Sequence, residues 1–450
     1  MAMSQIVDSW IDLWITGANF LSISAISRII FRILISEIKL SPFAMISLIH
    51  ARKITAYFGY LLYARFMKVE ALSLSEMRTH KSAKWRGFPS DVLPLFVAEM
   101  DFPIAEPIRK VLSEMVAHSD LGYLGSIPEL GSAFANFAQR RWNWKVNPDY
   151  VRLCTDVGVG MVEVLRITTN PGDKVLINSP IYHNFYNWIN ETKVQLVDVP
   201  FVQDTNSKSS KWSVDFVGIE KAYADGVKVH ALCSPHNPLG RIYSREELLK
   251  LVDLAKKYQV KIISDEIHAP LAFSGNEFIP FLALGDVAAE VGICVTSASK
   301  GFNIAGLKSA IIVSQNQENH ELLAKLPMAV HFRSSLLGAF AAVAAFNEGD
   351  EWLAGAIATI ESNAHFLKTL LNTQLPTVKY EIPACSYLAW VDVSALNLGD
   401  DPGAIFLEKG RVAFNSGQIY GPNSGQYVRI NLATSESVLA EAVNRMVKSL

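Results

Sequence analysis

At 450 residues, with 41 Lys plus Arg against 43 Asp plus Glu, the chain is too long for one ordinary core and points to two or so domains. A net charge of -2, without any arginine-rich run interleaved with aromatics, argues against nucleic acid as a partner. Cys154, Cys233, Cys294 and Cys385 lie far apart, with no CxxC spacing and no His at metal-ligand intervals, and read as buried free thiols of a protein in the reducing cytoplasm.

Mean hydropathy is +0.20, high for an enzyme, and the excess is concentrated at the start. Residues 1–66 hold three acids and six Lys/Arg among many Ile, Leu, Phe and Trp. A spanning helix wants about 20 mostly apolar residues. The best stretch, Phe20 to Leu40, is broken by Arg28, Arg32, Glu37 and Lys39, and central charges each cost about 2.5–3.5 kcal/mol to insert. Asp8 and Asp12 stand where a signal peptide carries basic residues. Two readings stay open: an amphipathic arm for weak membrane association or a partner, or sequence upstream of a start at Met67.

From Met67 the pattern alternates between helix and strand. Apolar residues at helical spacing mark Glu106 to His118 and, after Pro128, Glu129 to Trp142. Short apolar runs bounded by Asn, Asp, Pro and Gly then predict seven strands: Val151 to Thr155, Lys174 to Asn178, Val194 to Val199, Val229 to Cys233, Lys261 to Ser264, Gly292 to Thr296, and Ser309 to Val313. Helical segments fall between them, including Val214 to Ala224 and Ser244 to Tyr258, where Ser244 and Glu247 form a capping box. This is an α/β chain with a mostly parallel sheet covered on both faces. Beyond residue 345 the rhythm changes to a long helix from Asp350, strands at Tyr387 to Val393 and Tyr427 to Asn431, and a closing helix from Glu436, a smaller α+β unit.

In such sheets chemistry collects at the carboxyl ends of the strands. Three successive ends present Ser234-Pro235-His236-Asn237-Pro238-Leu239-Gly240, Asp265-Glu266-Ile267-His268, and Ser297-Ala298-Ser299-Lys300-Gly301-Phe302-Asn303. Alone, the second reads as a solvated turn, and a lysine at 300 either snorkels outward or is kept at a buried site for its nitrogen. Asn, Asp and Lys in that order at three strand ends are hard to explain as unrelated loops.

With Phe96-Val97-Ala98-Glu99-Met100-Asp101-Phe102 and Tyr427-Val428-Arg429-Ile430-Asn431, these motifs resemble the fold type I pyridoxal-phosphate enzymes. Within them the chain resembles the cystathionine β-lyase, carbon-sulfur lyase branch of the class I/II aminotransferase family. The resemblance runs from Met67 to the C-terminus and implies the PLP-dependent transferase fold, with 67–108 and 346–450 forming a small domain and 109–345 the large PLP-binding domain. It implies Lys300 as the Schiff-base lysine and Cα base, Asp265 at the pyridine nitrogen, Asn237 at the ring oxygen, Tyr182 on the ring face, and His268 among the cofactor ligands. The phosphate is expected to meet Ser297, Ser299, amides at Val159 and Gly160 before a helix at Met161, and Tyr123 from the other subunit of a homodimer. Arg429 is expected to take the substrate carboxylate, with Glu99 near the substrate mouth.

Each residue also has a plainer reading: Tyr182 as a core aromatic, Ser297 as a strand-end cap, Arg429 as a surface ion-pair partner. Lys308 stands where relatives carry a phosphate-binding Arg, and either supplies a point charge or faces solvent. The chain departs from the family pattern with Leu239 for Thr, Glu99 for Asp, and Gly301 for a larger residue, which bears on substrate choice. The implied activity is α,β-elimination of an L-cysteine thioether such as cystathionine to a thiol, pyruvate and ammonia. Transamination by the same residues is the alternative, and a non-catalytic protein of the same fold is a third.

Overall fold

The seven predicted runs form seven strands: β1 (Val151–Cys154), β2 (Lys174–Ile177), β3 (Gln195–Asp198), β4 (Val227–Cys233), β5 (Lys261–Asp265), β6 (Gly292–Thr296) and β7 (Ala310–Val313). The computed structural model describes residues 68–203 and 212–450, so both readings of the N-terminal stretch lie outside the described residues. The strands make one sheet in the order β1-β7-β6-β5-β4-β2-β3, parallel except that β7 runs against both of its neighbours.

Alternation explains why both faces are covered. Successive side chains of a strand point to opposite faces. Ile262 and Cys294 enter one core, shared with α1 (Glu106–Ala117), α2 (Pro128–Trp142) and α6 (Arg245–Tyr258); their chain neighbours Ile263, Ile293 and Val295 enter a second, shared with α3 (Val157–Thr168) and α4 (Asn184–Glu191). Each of the Ile and Val side chains, fully buried, contributes about 1.5–3 kcal/mol. The capping box at Ser244 forms as expected, and Asp215 caps α5 (Phe216–Ala224).

The helix expected at Met161 begins four residues earlier, at Val157, because Asp156 caps it. Helix α7 (Leu336–Glu348) was not foreseen: it is apolar on every side and packs between α1 and α2, so it carries no amphipathic period. It leads into α8 (Asp350–Gln374).

A second, antiparallel sheet has the order β8 (Lys379–Tyr380), β9 (Leu388–Asp392), β11 (Tyr427–Asn431), β10 (Asn415–Ser416). Helix α8 packs against α9 (Glu436–Lys448) beside it. The early residues Leu93–Pro94 pair in parallel with Val412–Ala413, so the segment that follows, 95–102, lies as a strap between the second sheet and the end of β6. Among the described residues no helix is long and apolar enough to cross a membrane.

Candidate active site

The register of the large sheet sets the site. Cys233 of β4 pairs with Asp265 of β5, and Asp265 with Val295 of β6, so three adjacent strands end side by side. Beyond their ends lies a cavity of about 930 Å³ whose walls include Tyr182, Asn237, Asp265, His268, Ser299, Lys300, Lys308 and Arg429.

Lys300 follows β6 on a one-turn helix, Ala298–Gly301, and its Nζ donates to the Ala98 carbonyl at 2.7 Å. Burial and the nearby Arg429 guanidinium lower its amine to about 8, against the opposing pull of Glu99 and Asp265. Asp265 is pushed up to about 7 by burial, with only the Ile267 amide (3.1 Å) and the Lys300 charge favouring its anion. A buried carboxylate with so little compensation calls for a donor or cation.

Arg429 is 3% exposed, so it is no surface ion-pair partner. Its Nη1 donates to Asn237 Oδ1 (3.2 Å) and its Nη2 to the Phe96 carbonyl (2.9 Å). Each terminal nitrogen keeps one more N–H for a ligand. Tyr182 stands edge-on to Trp188 at 6.1 Å, its hydroxyl accepting from Asn184 Nδ2 at 2.6 Å. Burial raises that phenol, so it remains protonated. His268 is driven down to about 3 by burial together with the charges of Lys300 and Arg429, so the imidazole is neutral.

At the other end of the cavity, Asp156 caps α3 by accepting from the Val159 amide at 2.8 Å, and the Gly160 amide bonds the Asp156 carbonyl at 2.9 Å. The amides expected to meet a phosphate are therefore already used. Val157 and Gly158, one turn earlier and on the cavity wall, have N–H groups that no described residue accepts. That is the donor pattern of an anion site. Gly160 lies behind the wall: a Cβ there would come within 2.7 Å of Val295 Cγ1, so its glycine is explained by the seating of α3 on β6. Lys308 lines the cavity and pairs with Asp156 at 2.9 Å, which places its charge beside the same helix end.

Three other expected residues sit elsewhere. Ser297 is a cap: its hydroxyl accepts from the Ser299 amide (3.0 Å) and donates to the Ser309 carbonyl (2.7 Å), which leaves Ser299 as the hydroxyl on the wall. Glu99 turns to Ser82 Oγ at 2.6 Å and is not on the wall, acting on Lys300 only through its charge. Tyr123 is fully exposed and off the cavity.

The model of the family "Aminotransferase class I and II" matches residues 90–446. The chain belongs to the class I and II aminotransferase family. It is 34% identical over 389 residues to the cystathionine beta-lyase PatB of Bacillus subtilis, an alignment covering 85% of this chain and 98% of that protein. It is 32% identical over 377 residues to the cystathionine beta-lyase of Corynebacterium glutamicum, covering 84% and 99%. Among solved structures, cystalysin of Treponema denticola, which contains a pyridoxal 5'-phosphate cofactor, superposes with a TM-score of 0.77 at 28% identity, covering 85% of this chain and 98% of that one.

Within this aminotransferase-family frame the strap is the part the sequence did not disclose. Its carbonyls are taken one after another: Phe96 by Arg429, Val97 and Glu99 by Asn431 Nδ2 (2.8 and 2.6 Å), Ala98 by Lys300 and the Tyr387 hydroxyl (3.1 Å). Asn303 adds three bonds to Met100 and Phe102. The signal was present in the two motif asparagines, each a side chain able to bridge backbone groups.

Proposed function

We propose that the chain is a pyridoxal-phosphate-dependent carbon-sulfur β-lyase acting on L-cysteine thioethers of the cystathionine kind. The observation that carries this reading is one cavity uniting Lys300, Asp265, Asn237 and Arg429 in a chain alignable over nearly the full length of a cystathionine beta-lyase. The groups left unsatisfied fit the cofactor. Asp265 wants a cationic N–H, and the Val157 and Gly158 amides, with Ser299 and Lys308 nearby, want an anion. Tyr182 would lie against the ring, Asn237 and His268 would offer polar hydrogens to its oxygen, and Lys300 Nζ would hold it covalently.

When bound, pyridoxal phosphate supplies an electron sink for the pair left at Cα. Arg429 orients the substrate through its carboxylate with the two free N–H groups of its fork. Once the substrate's amine has taken its place on the cofactor, Lys300 would be a free amine, its basicity lowered by burial and Arg429, and would take the Cα proton. The strap holds that amine beside Ala98 through the Ala98 carbonyl. The β C–S bond breaks as the Cα electrons form the C–C double bond. The sulfur would depart by taking up the proton that Lys300 removed from Cα, leaving as thiol, and water would complete the balance to pyruvate and ammonium. The description of the family keeps transamination as a second reading, in which Lys300 returns the proton instead of the sulfur leaving.

We further infer a homodimer, in which Tyr123 of the partner subunit reaches the phosphate; the full exposure of Tyr123, on a loop bonded through Gly125 to His331 of the helix that carries the exposed Met328 and Phe332, supports it. Four buried free cysteines support a reducing, cytoplasmic setting. Leu93–Pro94 pairing with Val412–Ala413 supports assigning 67–108 to the small domain with 346–450, leaving 109–345 as the large one.

The test uses the full chain loaded with pyridoxal phosphate and given L-cystathionine, with and without a 2-keto acid. Pyruvate and ammonia formed without the keto acid support the lyase, whereas turnover only with it establishes the aminotransferase. Lys300→Ala is expected to lose the absorbance of the lysine-bound cofactor and all activity; a variant unchanged in both would overturn the assignment of Lys300.

A further inference from the structure

Ser386 is 2% exposed and has φ of 77°, a left-handed backbone conformation that a residue with a Cβ rarely adopts. The surroundings hold it there. Its N–H donates to the Leu271 carbonyl (3.1 Å), Phe273 N–H donates to the Ala384 carbonyl (2.9 Å), and Cys385 Sγ donates to the His268 carbonyl (3.2 Å). Residues 384–386 are thus stitched to the loop that follows the Asp265 strand end. Unfavourable backbone conformations that are enforced in this way cluster at functional sites, where they aim a side chain.

The side chain aimed here has one partner. Ser386 Oγ lies 3.1 Å from His268 Nδ1, and no other described acceptor is within hydrogen-bond reach of the hydroxyl. His268 is buried, lines the cavity, and faces the cationic Lys300 and Arg429, both of which oppose a charged ring. A neutral imidazole has one donor nitrogen and one acceptor, and the partner of one nitrogen decides the state of the other. If Nδ1 held the proton, the buried Ser386 hydroxyl would have nowhere to donate, which costs free energy. With Nδ1 accepting, both groups are satisfied.

We propose that Ser386 is a positioning residue that locks His268 in its Nε2–H tautomer, so that the imidazole offers a donor, and not a lone pair, to an anionic oxygen of whatever occupies the cavity. That this occupant is pyridoxal phosphate rests on the function proposed above; the tautomer does not. The following residue, Tyr387, acts in parallel on the other side, since its hydroxyl shares the Ala98 carbonyl with Lys300. Two consecutive side chains just ahead of β9 thereby set the proton state of one site group and the position of another.

The test is 15N NMR of histidine-labelled, cofactor-free full chain at pH 8, with the His268 signals assigned by their loss in His268→Gln. The expected result is an unprotonated Nδ1 and a protonated Nε2. Ser386→Gly removes the hydroxyl while suiting φ of 77°, and should lower the Nε2–H to Nδ1–H ratio about fivefold, the worth of one side-chain hydrogen bond. Ser386→Ala should do the same while keeping the backbone penalty, which separates the hydroxyl from the backbone. A wild-type ring protonated at Nδ1, or a ratio unmoved in Ser386→Gly, overturns the proposal. Absorbance titration of the wild type with pyridoxal phosphate is read separately: failure to bind would sink the cofactor reading and leave the tautomer result standing.

Discussion

Asp265 shows how one buried carboxyl couples the cofactor to stability. Its native value of about 7 lies above its ordinary 3.8 because burial disfavours the charge. The native state therefore holds the proton more tightly between those values, so stability contributed by this group is intact below the lower one and is lost as pH rises through the window. The cost above it is on the order of 4 kcal/mol. A pyridinium N–H against the carboxylate would remove that cost. Melting temperature should therefore rise more on loading with pyridoxal phosphate at pH 8 than at pH 5, and Asp265→Asn should abolish the extra increment while raising the melting temperature of the cofactor-free protein at pH 8. Equal increments at both pH values would refute this role. Glu266, also pushed to about 7, keeps its own pH dependence in the variant, since the cofactor does not neutralise it. At this scale the candidates that the structure gathers on one cavity are those whose chemistry has no cheap substitute, namely Lys300, Asp265, Asn237 and Arg429. It misplaced Ser297, Glu99 and Gly160, because a hydroxyl, an acid or a glycine next to a motif serves a cap, a surface bond or a packing contact equally well.

Elements were legible where a period or a punctuation mark existed. All seven strands of the large sheet lie within two residues of their predicted limits, since each is a short apolar run between turn formers. Helix α7 has no polar face to betray it, and α3 opens with Val157-Gly158-Val159-Gly160, which reads as a loop. That opening has a physical reason: α3 must press its first turns onto β6 to bring the Val157 and Gly158 amides to the cavity. Gly160→Ala tests this seating. By helix propensity alone the change should stabilise the protein by about 1 kcal/mol. The added Cβ, however, would lie 2.7 Å from Val295 Cγ1 and 3.1 Å from Cys154 Sγ, and overpacking costs about 1–3 kcal/mol. The clash should win. Urea denaturation is expected to show net destabilisation, with weaker pyridoxal-phosphate binding as the first turn is displaced; a more stable Gly160→Ala would mean that α3 is not pressed against the sheet as described.

For the whole molecule, the question is whether one chain completes its own site. Every group assigned to the ring and to the substrate carboxylate comes from one chain, but Tyr123 projects into solvent while its loop is anchored through the Gly125 carbonyl to His331 Nε2 at 3.0 Å. A tyrosine so presented, on a loop tied to the helix that carries the exposed Met328 and Phe332, suits an interface between two copies, and across a two-fold axis each copy would lend its Tyr123 to the other. Subunit mixing tests this without a structure of the dimer. Lys300→Ala chains lack the base but carry an intact Tyr123; Tyr123→Ala chains have the reverse. In a hybrid dimer one site combines the intact Lys300 of one chain with the intact Tyr123 of the other, and the second site has neither. Random reassortment of equal amounts makes half of the dimers hybrids, so activity at limiting pyridoxal phosphate should recover to about a quarter of the wild-type value. Were Tyr123 to serve its own chain's site, or none, mixing would give only the average of the two parent variants.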